Sequence, residues 1–173
     1  MTEPAAAAAA FRLAHHDSYD DASIRGILRE VRTIALVGAA AIWTRPSFFA
    51  MKYLQAKGYR VIPVNPKEAG KTILNETVYA ELKDVPVKVD MVQVFRRSET
   101  VGPVADEAIE IGAKVLWMQL GVRNDDAAAT AEAAGLKVVM NRCPKIEYGR
   151  LSGEIGWLGV NTKVITSKRT KRI

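Results

Sequence analysis

The chain has 173 residues, enough for one domain with a real core, and its 49% hydrophobic and 25% charged content is that of an ordinary globular protein. No apolar run approaches the roughly 20 residues that span a bilayer, and the early "AAAAAA" is too weakly apolar, with no Lys or Arg ahead of it, to act as an export signal. A single cysteine, Cys143, excludes an internal disulfide framework and fits a reducing cytoplasm, while the net charge of +6 points to an anionic partner.

Residues 1–18 read as a disordered N-terminal tail. His15 and His16 fall within it; no third ligand lies nearby and no metal-binding spacing occurs elsewhere, so neither a metal nor a catalytic role is expected of them. The folded domain is expected over 19–151. In "DDASIRGILREV" the residues Ile24, Ile27, Leu28 and Val31 recur at helical spacing, behind Asp21 and Ser23 as candidate caps. "TIALVG" (33–38) reads as a buried strand. "RPSFFAMKYLQAKG" (45–58) reads as a helix, with Pro46 tolerated in its first turn and Gly58 closing it. "YRVIPV" (59–64) is a second strand, and a short helical turn is expected in "VYAELKDV". The third strand is "VDMVQVF" (89–95), followed by a helix in "SETVGPVADEAIEIG" (98–112). "AKVLWMQ" (113–119) and "LKVVMN" (136–141) are strands four and five, with the helix "NDDAAATAEAAG" (124–135) between them. Residues 152–173 read as a C-terminal extension whose end, "SKRTKRI", gathers four basic side chains. Such a tail is a solvated terminus or a weak nucleic-acid or anionic-surface contact, and the lack of interleaved aromatics counts against a nucleic-acid partner.

Strands without polar alternation are buried on both faces, which calls for a parallel sheet with helices on each side. The crossovers suit right-handed strand–helix–strand units. The expected fold is therefore α/β: a doubly wound, Rossmann-like single domain of about five strands. In such sheets ligands bind outside the carboxyl ends of the strands, where strand order reverses. Each of the five loops at that edge carries positive charge: Arg45; Lys67 and Lys71; Arg96 and Arg97; Arg123; Arg142 and Lys145. Glu68, Glu99, Asp125 and Asp126 oppose them. Helix starts at the same edge add N–H donors and partial positive charge, so the expected ligand is a polyanion carrying phosphates. The first loop holds Gly38 followed by Ala39, Ala40 and Ala41, without the Gly-x-Gly-x-x-Gly or P-loop spacing. The second strand ends in Asn65-Pro66, where an NAD site wants an acid for the ribose hydroxyls. NAD is disfavoured; NADP stays open, because Lys67 or Lys71 is placed to meet its 2′-phosphate.

The segments "VGAAAIWTRPSFFAMKYLQAKGYRVIPVNP", "DMVQVFRRSE", "VLWMQLGVRND" and "VVMNRCPKIEYGRL" resemble, in that order, the small stand-alone CoA-binding domain proteins. These are similar to the N-terminal CoA-binding domain of the succinyl-CoA synthetase α subunit and of ADP-forming acyl-CoA synthetases. The resemblance covers roughly residues 20–151. It departs at the alanines after Gly38, where Gly-Ala-Ser is commoner. It implies coenzyme A or an acyl-CoA bound across the strand tips. Gly38, Ala39 and Ala40 would pass under the pantetheine or pyrophosphate, and Arg45 and Ser47 would hold phosphate. Asn65 and Pro66 would flank the adenosine end, with Lys67 serving its 3′-phosphate. Phe95 and Arg96 would wall the nucleotide, and Gln119 and Gly121 would face the pantetheine arm.

The ligases of that superfamily use a phosphorylated histidine and a nucleotide-grasping partner outside the CoA domain. Here both histidines lie in the expected tail, so neither that chemistry nor a Ser-His-Asp set has a side chain to run on. Cys143, beside Arg142, and Glu147 are the one reactive pair near a strand tip, with a mixed disulfide to CoA as its conceivable product. The expected role is a binding module without catalysis: a carrier, a sensor or a subunit with a protein partner. An NADP-linked oxidoreductase-like protein and a nucleic-acid-associated regulator are the alternatives.

Overall fold

The structure is a computed structural model that describes residues 11–153. In chain order the elements are α1 (Asp21–Glu30), β1 (Thr33–Val37), α2 (Pro46–Ala56), β2 (Arg60–Val64), β3 (Thr72–Ile73), β4 (Glu76–Thr77), β5 (Met91–Val94), α3 (Val101–Glu110), β6 (Val115–Met118), α4 (Asp125–Ala133), β7 (Lys137–Val139) and α5 (Pro144–Leu151). Short 3-10 turns occupy Ala14–His16, Leu82–Asp84 and Ser98–Thr100.

The five long strands form one parallel sheet in the order β2-β1-β5-β6-β7. Period-two alternation sends successive side chains to opposite faces. Ala35, Val37, Val92, Val94, Leu116 and Met118 pack under α3 and α4. Ile34, Leu36, Met91, Val115 and Trp117 pack under α1, α2 and the C-terminal part of α5. Both faces are therefore covered, as the uninterrupted apolar strands require. From β1 the chain steps outward to β2, then returns to the other side of β1 as β5. The order reverses there, so the crevice between the β1 and β5 tips is the topological switch point.

Local chemistry explains the boundaries. Asp20, rather than Asp21 or Ser23, caps α1, its carboxylate accepting the Ser23 N–H at 2.8 Å. Asn124 caps α4 the same way through the Ala127 N–H. Pro63 sits in β2 because β2 is an edge strand, where a missing N–H costs no ladder bond. Its outer side is met by Tyr79, whose N–H donates to the Pro63 carbonyl while its own carbonyl accepts the Asn65 N–H.

Three features differ from the expectations. The β3–β4 hairpin turns through Leu74 and Asn75, both with positive φ (48° and 66°), the backbone of a tight hairpin turn. Helix α5 starts on Pro144, directly after β7. Residues 11–18, read as tail, are instead packed on the domain along α4. The Leu13 N–H donates to Asp125 at 2.7 Å, Arg123 reaches Asp17 and the Leu13 carbonyl, and His16 is 3% exposed. The rest of the expected tail, residues 1–10, lies outside the described residues, as do 154–173 with their basic end.

Candidate functional site

The switch point is built by backbone contacts that leave no room for larger residues. Gly38 ends β1 with φ +90°, and a Cβ there would run into the carbonyl oxygen of Phe95 on the neighbouring strand tip. The Gly38 N–H donates to Val64 at 2.9 Å and the Phe95 N–H to Val37 at 2.8 Å, so three strand tips converge on one glycine. Asn65 completes the knot: its side-chain N–H donates to the Ala39 carbonyl at 2.7 Å and its Oδ1 accepts the Lys67 N–H at 3.1 Å. Both ends of that amide are thus committed inside the protein. Asn65 shapes the first loop, and Pro66 and Lys67 beyond it are exposed.

Beside this knot lies a cleft of about 620 Å³ lined by Pro46, Phe95, Arg96, Arg97, Gln119 and Leu120. The start of α2 opens at the same edge with no side chain capping it, and its free N–H groups favour an anion. Arg45 stands exposed there, while Ser47 is buried at 6% exposure and offers the cleft little surface. Ala39 is buried, Ala40 half-buried, and the loop onward from Ala41 through Pro46 is exposed, including Ile42 and Trp43 at 54% and 68%.

The expected ring of cations is only partly realised. Arg45, Lys67, Arg96 and Arg97 have no carboxylate partner among the described residues. Lys71 is spent on Glu68 at 2.8 Å. Arg123 turns away from the cleft: it grips Asp125 at 2.7 Å and Asp17 at 2.8 Å, with its side chain only 23% exposed. That contact raises the Arg123 pKa and holds the Asp125 carboxyl below its ordinary range. Arg142 stacks its guanidinium 5.4 Å from the Tyr19 ring, and its carbonyl accepts the Trp117 indole N–H at 2.8 Å. Among the described residues the cations of this ring without a carboxylate partner therefore come from the loops after β1, β2 and β5, and from the segment after β7, where Arg142 and Lys145 have none either.

Two residues were missed by reasoning from loops alone. Gln93 lies within β5, fully buried; its Nε2 donates to Gln119 Oε1 at 3.1 Å, and its own Oε1 has no partner. A buried amide oxygen without a donor is costly, and this one belongs to the residue that orients Gln119 at the cleft wall. The signal was a lone polar residue inside the apolar run "VDMVQVF". Asn141, with φ 54°, accepts the Gly121 N–H at 2.7 Å and so fixes the loop after β6.

The presumed reactive pair does not form a site. Cys143 is buried at the start of α5, and the Glu147 carboxylate is taken by Arg150 at 2.6 Å. Arg150 also reaches Asp21 at 2.7 Å, tying α5 to α1. The histidines are equally displaced from expectation. They sit on the β7 margin against α4, where Glu132, 117 residues further along the chain from His15, supplies a neighbouring carboxylate while Asp17 next to them is taken by Arg12 and Arg123.

A family model for the CoA binding domain matches residues 32–149, most of the described chain. The chain belongs to the CoA-binding domain family. The chain is 37% identical over 129 residues to the uncharacterized protein YneT of Bacillus subtilis (strain 168), covering 73% of this chain and 93% of that one. Among solved structures, a hypothetical protein from Pyrococcus horikoshii OT3 shares 40% identity with a TM-score of 0.73, covering 78% of this chain and 94% of its own. The dinucleotide-forming acetyl-coenzyme A synthetase 1 of Ca. Korarchaeum cryptofilum superposes with a TM-score of 0.56 at 22% identity, over 66% of this chain and 28% of the synthetase. That last likeness is one of fold: the CoA-binding domain here has the architecture of one part of a far larger ligase.

Proposed function

We infer that the chain binds coenzyme A or an acyl-CoA across the tips of β1, β2, β5 and β6, as a carrier, sensor or complex subunit and not as an enzyme. The observation that carries this reading is the set of uncompensated cations Arg45, Lys67 and Arg96. Arg96 lines the cleft together with Arg97, Arg45 directly precedes its wall residue Pro46 at an uncapped helix start, and Lys67 follows β2 at the same edge of the sheet. Such a donor set fits a ligand whose charge is spread over separate phosphoryl groups. Arg45 and the start of α2 would hold the pyrophosphate, with the backbone of Gly38 to Ala40 passing beneath. Lys67 would meet the 3′-phosphate. Phe95 and Arg96 would wall the adenine nucleotide, and Gln119, Gly121 and Leu120 would border the pantetheine arm. When bound, CoA supplies a thiol that carries acyl groups as thioesters. Nothing found at the cleft supplies a base or nucleophile to cleave one: the histidines sit against α4 and Glu147 is paired with Arg150. The single, buried cysteine suits a reducing cytoplasm.

Calorimetric titration of the full chain with CoA, dephospho-CoA, NADP and NAD tests this. CoA is expected to bind tightest, and loss of the 3′-phosphate or either substitution, Arg45→Ala or Arg96→Ala, is expected to weaken it about tenfold. NADP binding as well as CoA, or variants indistinguishable from the parent, would sink the assignment. Acetyl-CoA incubated with the protein should release thiol no faster than the blank; faster release would make it an enzyme.

A further inference from the structure

Three groups from distant parts of the chain meet beside α4 near the β7 margin. His15 Nε2 stands 3.0 and 3.2 Å from the two oxygens of Glu132, and His16 Nε2 stands 3.1 Å from Oε1 of the same carboxylate. The two imidazoles lie side by side, ring centroids 4.2 Å apart, on the 3-10 turn Ala14–His16. All three donor atoms fall within 4.8 Å of one another.

One atom sets this cluster apart from an ordinary surface ion pair. His16 is 3% exposed, and its Nε2 is buried without a hydrogen-bond partner: the nearby Glu132 oxygen is within reach but out of line. A buried ring nitrogen lying beside a carboxylate and a second imidazole, with no aligned acceptor, has the disposition of a metal ligand. The far side of the ring is also equipped for it. His16 Nδ1 lies 2.8 Å from the Tyr19 hydroxyl, which accepts the Met140 N–H at 2.7 Å. A ligating histidine commonly anchors its other nitrogen in this way, and the phenolic oxygen has a second lone pair for it.

We propose that His15, His16 and Glu132 bind a divalent cation of the zinc class, with solvent completing its coordination, and that the ion clamps the N-terminal segment onto α4. Two imidazoles and one carboxylate suit zinc, nickel or copper, whereas calcium and magnesium prefer all-oxygen shells. Two ligands of a tetrahedral zinc ion stand about 3.3 Å apart, close to the 3.0 and 3.1 Å edges found here. His15 and Glu132 keep side-chain exposures of 57% and 33%, so the ion has an open approach.

The test uses full-length protein stripped with a chelator and titrated with zinc sulfate, then with cobalt chloride as a spectroscopic probe. Expected are one equivalent of tight uptake, visible cobalt bands of a four- or five-coordinate N/O site, and no competition from magnesium. His15→Ala and Glu132→Gln, both at partly exposed positions, should each weaken zinc by about tenfold or more and abolish the cobalt bands. Zinc should also slow protease cleavage ahead of Tyr19 in the parent but not in these variants. No uptake at about 100 μM zinc, where even a site of roughly micromolar Kd would be filled, overturns the proposal. Uptake unchanged by both substitutions overturns it as well. CoA affinity of the same variants is read in parallel, since it is expected to stay at the parental level.

Discussion

At the scale of single residues, the site depends most on an atom that is absent. Gly38 has a backbone angle few other residues adopt, and its missing side chain is where the Phe95 carbonyl sits. Gly38→Ala combines left-handed strain with a clash against backbone that cannot swing aside, so about 2–4 kcal/mol of stability should be lost. Gly26→Ala is the contrast: that glycine is inside α1 with nothing within 4 Å of an added Cβ. It should gain about 0.5–1 kcal/mol from helix propensity. Urea unfolding of the two variants reads both signs, and a neutral Gly38→Ala would remove the close approach from the account. The need for a glycine there was legible in "TIALVG", because strand ends at a switch point favour one. The use of Asn65 was not. Its position suggested a ligand contact, but its amide is consumed by Ala39 and Lys67, a pairing across 26 residues that no local pattern encodes.

At the scale of elements, the buried strands and the helices between them were readable because apolar runs and amphipathic spacing are local signals. Elements whose existence depends on partners were not. Helix α5 is short, and its buried positions include Pro144 and Gly149, so no apolar stripe announces it. The segment before α1 looked like a tail for the same reason: it holds few apolar residues and docks through polar contacts. Arg123 is the centre of that docking, joining Asp17, Asp125 and the Leu13 carbonyl. Reading Arg123 as a rim cation failed because its partners are a strap and a helix start rather than solvent. Arg123→Ala should release the strap at a cost on the order of 1 kcal/mol, modest because the pairs are partly screened. Amide exchange at Leu13 is the direct measure, and protection equal to that of the parent would count against the strap being held there. CoA binding should be nearly untouched by this change, unlike by Arg45→Ala.

At the scale of the whole molecule, charge is sorted by edge. Carboxylates at the amino ends of the strands are neutralised locally: Asp90 accepts the Arg32 and Thr33 N–H groups and approaches Lys114 at 3.3 Å, and Glu30 meets Lys137 at 2.8 Å. At the carboxyl ends Arg45, Lys67, Arg96 and Arg97 have no carboxylate partner among the described residues. A field arranged this way draws anions towards one side and is screened by salt over about 10 Å at 0.1 M. The association rate of CoA should therefore fall about tenfold between roughly 0.02 and 0.5 M salt, while the dissociation rate changes little. Stopped-flow measurements on the intact chain decide it, and a salt-independent on-rate would argue against a steering rim.

The outer margins of the sheet have a consequence for assembly. On one side Pro63 withholds an N–H and Tyr79 bridges the remainder; on the other the Tyr19 hydroxyl occupies the Met140 N–H. Neither border offers a clean template on which a foreign strand can register. Pairing of a foreign strand is thus opposed at Pro63 and Tyr79 on one flank and, on the other, just past β7 at Met140, the places where each edge would otherwise continue its ladder.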